Sequence, residues 1–86
     1  MQAQELMLSS NEIKLVKKLF NAFIDAELED FSMVFPRESS PVSVYVDMST
    51  EEPNLVIERS DYGGIFALER YASLQEFKKA YEVSYP

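Results

Sequence analysis

The chain contains no histidine, no cysteine and no tryptophan, and its only two glycines are adjacent, at Gly63 and Gly64. Each absence removes a class of chemistry. Without imidazole, no side chain with an ordinary pKa near neutrality is present to serve as a base. Without thiols there is no disulfide, no thiolate nucleophile and no cysteine-bound metal. A phosphate-cradling loop needs several spaced glycines, and one adjacent pair does not supply it. Long hydrophobic runs are also missing, since none approaches the roughly 18 residues of a membrane span. Positive charge is scarce: eight Lys and Arg stand against fifteen Asp and Glu, for a net charge of −7. That excess disfavours direct contact with nucleic acid or with an anionic membrane, and it favours basic surfaces. The lack of cysteine suits a reducing, cytoplasmic setting.

What is present is apolar material in quantity. Hydrophobic residues make up 47% of the 86 positions, enough for one small core and too short a chain for two. Met1 to Glu5 carries neither a basic region nor an apolar stretch, so residues 1–8 read as a flexible lead and not as a signal peptide. Residues 9–86 read as a single domain.

Ser9 and Glu12 have the spacing of a capping box, and Ile13, Val16, Phe20 and Phe23 then recur at helical steps. This pattern predicts a helix from Asn11 to about Glu29. Phe31 to Phe35, closed by Pro36, reads as a short edge strand or a packed loop. Val42, Val44, Val46 and Met48 alternate with polar residues and Tyr45, which predicts a half-buried strand with those four facing the core. Leu55–Arg59 and Ile65–Tyr71 read as two further strands, joined through a hairpin turn that holds both glycines. Ser73 and Glu76 repeat the capping spacing before a second helix, with Leu74, Phe77 and Tyr81 on its apolar stripe and Lys78 and Lys79 toward its end. Val83 to Pro86 is a tail that places Tyr85 within reach of the sheet. The expectation is an α+β fold: an N-terminal helix, an antiparallel sheet of three or four strands and a C-terminal helix, with the helices on one face.

The first helix has its charges reversed. Lys14, Lys17 and Lys18 lie at the dipole's positive end, while Asp25, Glu27, Glu29 and Asp30 lie at its negative end. Pure helix stability would favour the opposite arrangement. One reading is an acidic knob that docks on a basic protein surface. The other is that the helix stops near Ala26 and the acids occupy a solvated turn. Asp47, Glu51 and Glu52 form a second acidic group. They carry oxygen donors of the kind Ca²⁺ or Mg²⁺ takes, but without the glycine and regular ligand spacing of an EF-hand loop. If both groups fall on one side, their carboxylates could imitate a phosphate backbone. Tyr45 is a further interface candidate on the sheet face away from the helices.

The chain therefore reads as a small non-catalytic interaction module: an adaptor, regulator or stoichiometric inhibitor of a protein with a basic surface. No cofactor is expected. The alternative is a structural homo-oligomer, such as a homodimer, formed through a sheet face or edge. A small enzyme or metal-binding domain is a third reading, weakened because Ser60-Asp61-Tyr62 has no base nearby in sequence.

Overall fold

The computed structural model describes residues 8–38, 40–49 and 51–82. The element order is α1 (Ser10–Ile24), β1 (Ser32–Phe35), β2 (Val42–Asp47), β3 (Asn54–Asp61), β4 (Gly64–Tyr71) and α2 (Leu74–Glu82). The four strands form one antiparallel meander in the order β1-β2-β3-β4. Both helices cover the same face, so the fold is α+β in two layers, and the segment before Pro36 is a strand.

Strand register decides which side chains meet the helices. Met33 pairs with Val44, Val44 with Ile57 and Ile57 with Glu69, so these positions share the helix side. Phe35, Val42, Val44, Leu55, Ile57 and Ala67 form the core there, with Ile13, Val16, Phe20, Phe77 and Tyr81 from the helices. The strand β2 ends at Asp47, and Met48, expected to face the core, is 56% exposed. The alternation stops because Ser49 donates both its backbone N–H and its hydroxyl to Asp47, which turns the chain out of the sheet. In the β3–β4 hairpin, Asp61 pairs with Gly64 across Tyr62 and Gly63. Only Gly64 has positive φ, at 109°. Asp61 accepts from the Gly63 N–H and sets the turn.

The start of α1 is built as its sequence suggests. Ser9 accepts from the Glu12 N–H at 3.2 Å, and Glu12 accepts from the Ser9 N–H at 3.0 Å. Leu8, assigned from sequence to the flexible lead, is 2% exposed and belongs to the core. It occupies the position that staples a helix start against Ile13. The rest of the lead, and Tyr85 in the tail, lie outside the described residues.

Glu12 has a second task. The Arg37 guanidinium, from the β1–β2 connection, donates to both its oxygens at 2.9 and 2.6 Å. This fork holds the Glu12 carboxyl below its ordinary value of 4.5. A carboxyl lowered in the fold adds stability above its unfolded pKa and loses it as pH falls through the folded one. Glu12→Gln is therefore expected to cost about 0.5–1 kcal/mol at neutral pH and to flatten the loss of stability below about pH 4.5. Urea midpoints at pH 7 and pH 3 measure both effects.

The end of α1 follows the second of the two expectations, a stop near Ala26 with the acids in an exposed turn. The helix stops at Ile24, five residues before Glu29. Ala26 takes the left-handed conformation with φ of 63°, its N–H donates to the Phe23 carbonyl, and the Glu27 N–H donates to the Ala22 carbonyl. This is a Schellman ending with alanine where glycine is preferred. Apolar periodicity runs on toward Glu29, and the reversed charges are the signal for a stop near Ala26. Beyond it, Phe31 folds back on Phe20 and Phe23, with ring centroids 6.4 Å apart in each pair. Closing that three-ring cluster requires the chain to leave the helix axis. Ala26→Gly is expected to stabilise the protein by about 1 kcal/mol, raising the midpoint of a thermal melt by roughly 4–8 °C.

Candidate functional site

The acidic residues singled out from sequence fall in two places. Asp25 caps the C-terminal end of α1 and accepts from the Asn21 amide at 3.4 Å. Glu27, Glu29 and Asp30 follow on the exposed connection to β1. Phe31 anchors that connection, so these carboxylates belong to a turn held by an aromatic cluster, and not to a continued helix.

Glu51 and Glu52 are exposed on the β2–β3 connection. This connection runs beside the end of α1. Glu52 and Pro53 line one groove of about 340 Å³ with Phe20, Phe23, Ile24, Ala72 and Ser73. Ile24 is 52% exposed there. The structure thus brings Glu52 to the same end of the molecule as Ile24 and its neighbour Asp25. The groove is mainly apolar with one carboxylate, Glu52, in its lining, an arrangement suited to protein contact.

Asp47 and Tyr45 do not join it. Both lie on β2 positions that face away from the helices. Asp47 forms an ion pair with Arg70 and accepts twice from Ser49. The Ser49 hydroxyl first, then Arg70, holds its carboxyl well below the usual carboxylate range. Its charge is met by partners within the chain. Tyr45 donates to Glu58 at 3.3 Å, and burial, then the Glu58 charge, pushes its hydroxyl pKa up.

Between them sits Val56, which is fully buried on the face no helix covers. Its directly opposite neighbours are Tyr45 on β2 and Arg70 on β4. Tyr45 and Arg70 flank it on that face, tied to Glu58 and to Asp47 respectively. The open face is therefore closed at its centre by its own side chains. Its exposed apolar residues lie near the edges: Val34 on β1, and Ile65 and Leu68 on β4. The strand order separates the two edges by three spacings, roughly 14 Å. Phe66 is the extra residue of a bulge in β4 opposite Arg59 and Ser60, and its ring lies 5.4 Å from the Arg59 guanidinium. Leu68, paired with Glu58, shares the open face with Tyr45 and Val56, whereas Phe66 is turned out of the regular alternation.

Two further clusters were not singled out by sequence reasoning. On the helix side of β4, Glu69 accepts from Tyr71 at 2.6 Å and from Tyr81 at 2.7 Å, through the same oxygen. Burial first, then the Glu69 contact, pushes both phenol pKa values up. This cluster clamps α2 to the edge of the sheet. The second cluster is basic: Lys14, Lys17 and Lys18 of α1 meet Lys78 of α2 around a groove of about 400 Å³, with Asn21 and Leu74 completing its lining. The three lysines of α1 were visible in the sequence. Their meeting with Lys78 depends on α1 lying beside α2, which no sequence pattern states.

No protein-family model, curated protein or solved structure matches the chain. Function must be argued from the geometry. Among the described residues, no group of three or more acidic side chains is placed to hold a metal ion, and no helix is long and apolar enough to cross a membrane.

Proposed function

We propose that this protein is a small non-catalytic interaction module, an adaptor, regulator or stoichiometric inhibitor, that docks on a basic protein surface through the end of the fold where α1 stops. The observation that carries this reading is the groove shared by Phe23, Ile24, Glu52 and Pro53. It joins the exposed Ile24 to the Glu52 carboxylate, and Asp25 follows Ile24 directly in the chain. The apolar centre supplies affinity by losing water, and the carboxylates steer a cationic partner and fix its register. Glu52 lines the groove, and the exposed Asp25, Glu27, Glu29, Asp30 and Glu51 lie on the chain segments that continue from it. Asp47 and Tyr45 are outside this reading, because their partners lie within the chain.

Affinity capture with the intact protein, followed by identification of what it retains, tests the reading against variants. Replacing Asp25, Glu27, Glu29 and Asp30 together by lysine is expected to abolish retention while the circular dichroism spectrum is unchanged. Ile24→Ala is expected to weaken binding by about tenfold. A partner held equally well by both variants would sink the proposal. A homodimer through the open sheet face has less support, because that face is closed at Val56 and its exposed apolar residues are scattered along two edges.

A further inference from the structure

Four of the chain's eight basic residues converge on the groove between α1 and α2, in a molecule whose net charge is −7. Among the described residues, no carboxylate lines it. The arginines are engaged elsewhere: Arg37 with Glu12, Arg70 with Asp47, and Arg59 with the Ser40 carbonyl and the Phe66 ring. Lys14 and Lys18 are four residues apart on one helix and repel each other, and Lys78 adds to that repulsion from the facing helix. The cost is offset when an anionic surface lies over the groove.

We propose that this surface is the acidic end of a second copy of the same chain. The proposal rests on the reading of that end as a docking surface, and it identifies one basic surface that the end fits. Asp25, Glu27, Glu29 and Glu52 would face Lys14, Lys17, Lys18 and Lys78, and the exposed Ile24 would meet Leu74 in the groove lining. Charge and apolar centre are both complementary.

The two surfaces are different parts of one molecule. Lys14 and Asp25 are eleven residues apart along α1, roughly 16 Å of helix. The two surfaces adjoin at Asn21, which lines the lysine groove and donates to Asp25, and the contact proposed is head to tail, with one copy giving its acidic end and the other its lysine groove. In a pair, one copy keeps an unused acidic end and the other an unused lysine groove, so growth does not stop at two molecules.

Each copy is also negative overall, which opposes association at long range. The molecule measures 34 × 33 × 20 Å. At about 0.15 M salt the screening length is roughly 8 Å, so distant charges are silenced while the facing carboxylates and ammonium groups still attract. At about 0.01 M the screening length is roughly 30 Å and whole-molecule repulsion returns. At about 1 M it is roughly 3 Å and the contact itself weakens. Association is strongest at the intermediate salt.

Analytical ultracentrifugation at those three salt concentrations tests this. At intermediate salt the weight-average mass is expected to rise steadily with protein concentration, without a plateau at the dimer. It is expected to be lower at both extremes. Two surface variants then isolate the junction. One carries Lys14→Gln, Lys18→Gln and Lys78→Gln, and the other carries Asp25→Asn, Glu27→Gln, Glu29→Gln and Glu52→Gln. Each alone is expected to remain a monomer. Mixed in equal amounts they are expected to form a two-molecule complex that grows no further, since only one complementary pair of surfaces remains.

A wild-type monomer at every salt concentration would overturn the proposal, as would a salt-independent dimer plateau or self-association of either variant. A lysine-rich peptide bearing one leucine separates the two levels of inference. If it binds the wild type and not the second variant, while the wild type stays monomeric, self-assembly is wrong and the acidic docking end stands. If neither the peptide nor a second copy binds, both readings fall.

Discussion

Replacing Phe77 by alanine is expected to remove about 3–5 kcal/mol of folding stability, the largest effect of any single substitution discussed for this chain. Phe77 is fully buried under α2. Its ring stacks on Tyr81 with centroids 4.7 Å apart and meets Tyr71 edge-on at 5.6 Å. Truncation deletes the ring's transfer energy and leaves a cavity between two other rings, neither of which can slide in. Both are tethered through their hydroxyls to Glu69, which keeps the site from collapsing. A small domain holds only about 5–15 kcal/mol in total, so the variant should melt near or below room temperature or fail to fold. Phe77→Leu keeps most of the volume and should lose less than half as much. Urea denaturation followed by circular dichroism measures both, and a midpoint for Phe77→Ala within about 1 kcal/mol of wild type would show that α2 is not held as described.

The second large effect concerns alkaline pH. Tyr71 and Tyr81 have phenol pKa values raised above the ordinary 10.0, by burial and then by Glu69. Raised in the fold, these groups contribute stability that is complete below pH 10 and is lost as pH climbs. Between the unfolded and folded values the unfolded chain has released protons that the fold retains, so each further pH unit favours unfolding. The limiting slope is about 1.4 kcal/mol per unit for the buried Tyr81 above pH 10, and solvent screening makes it smaller for the half-buried Tyr71. Tyr81→Phe should lose about 1.5–3 kcal/mol at neutral pH with its hydrogen bond to a carboxylate, yet show less than half the alkaline slope. Urea midpoints at pH 9, 10 and 11 for the two proteins provide the comparison. Parallel curves would mean that Tyr81 ionises as freely in the fold as out of it.

The reversed charges of α1 take on a different meaning in three dimensions. In sequence they look like a local fault, with lysines at the positive end of the dipole and acids at the negative end. In the fold, the lysines form one wall of a groove whose other wall carries Lys78, and the acids follow directly on Ile24, which lines a second groove with Glu52. The tenths of a kcal/mol lost in helix stability go with two surfaces of opposite sign on one small body.

The sequence by itself determined the order of elements, because apolar spacing, capping pairs and turn residues are local signals. Ser9 with Glu12, the alternation from Val42 to Val46, and Gly64 at the hairpin act within a few residues of themselves. The reversed charges of α1 already mark a stop near Ala26, and tertiary structure decided how the chain leaves it, with Ala26 in the left-handed region and Phe31 folded back on Phe20 and Phe23. It decided that Glu52 borders Ile24 while Asp47 is held by Arg70, and that Lys78 joins the lysines of α1. Those neighbours are separated by some twenty to sixty residues along the chain. Their meeting follows from strand register and from the packing of two helices on one face, long-range choices that no local window of sequence contains.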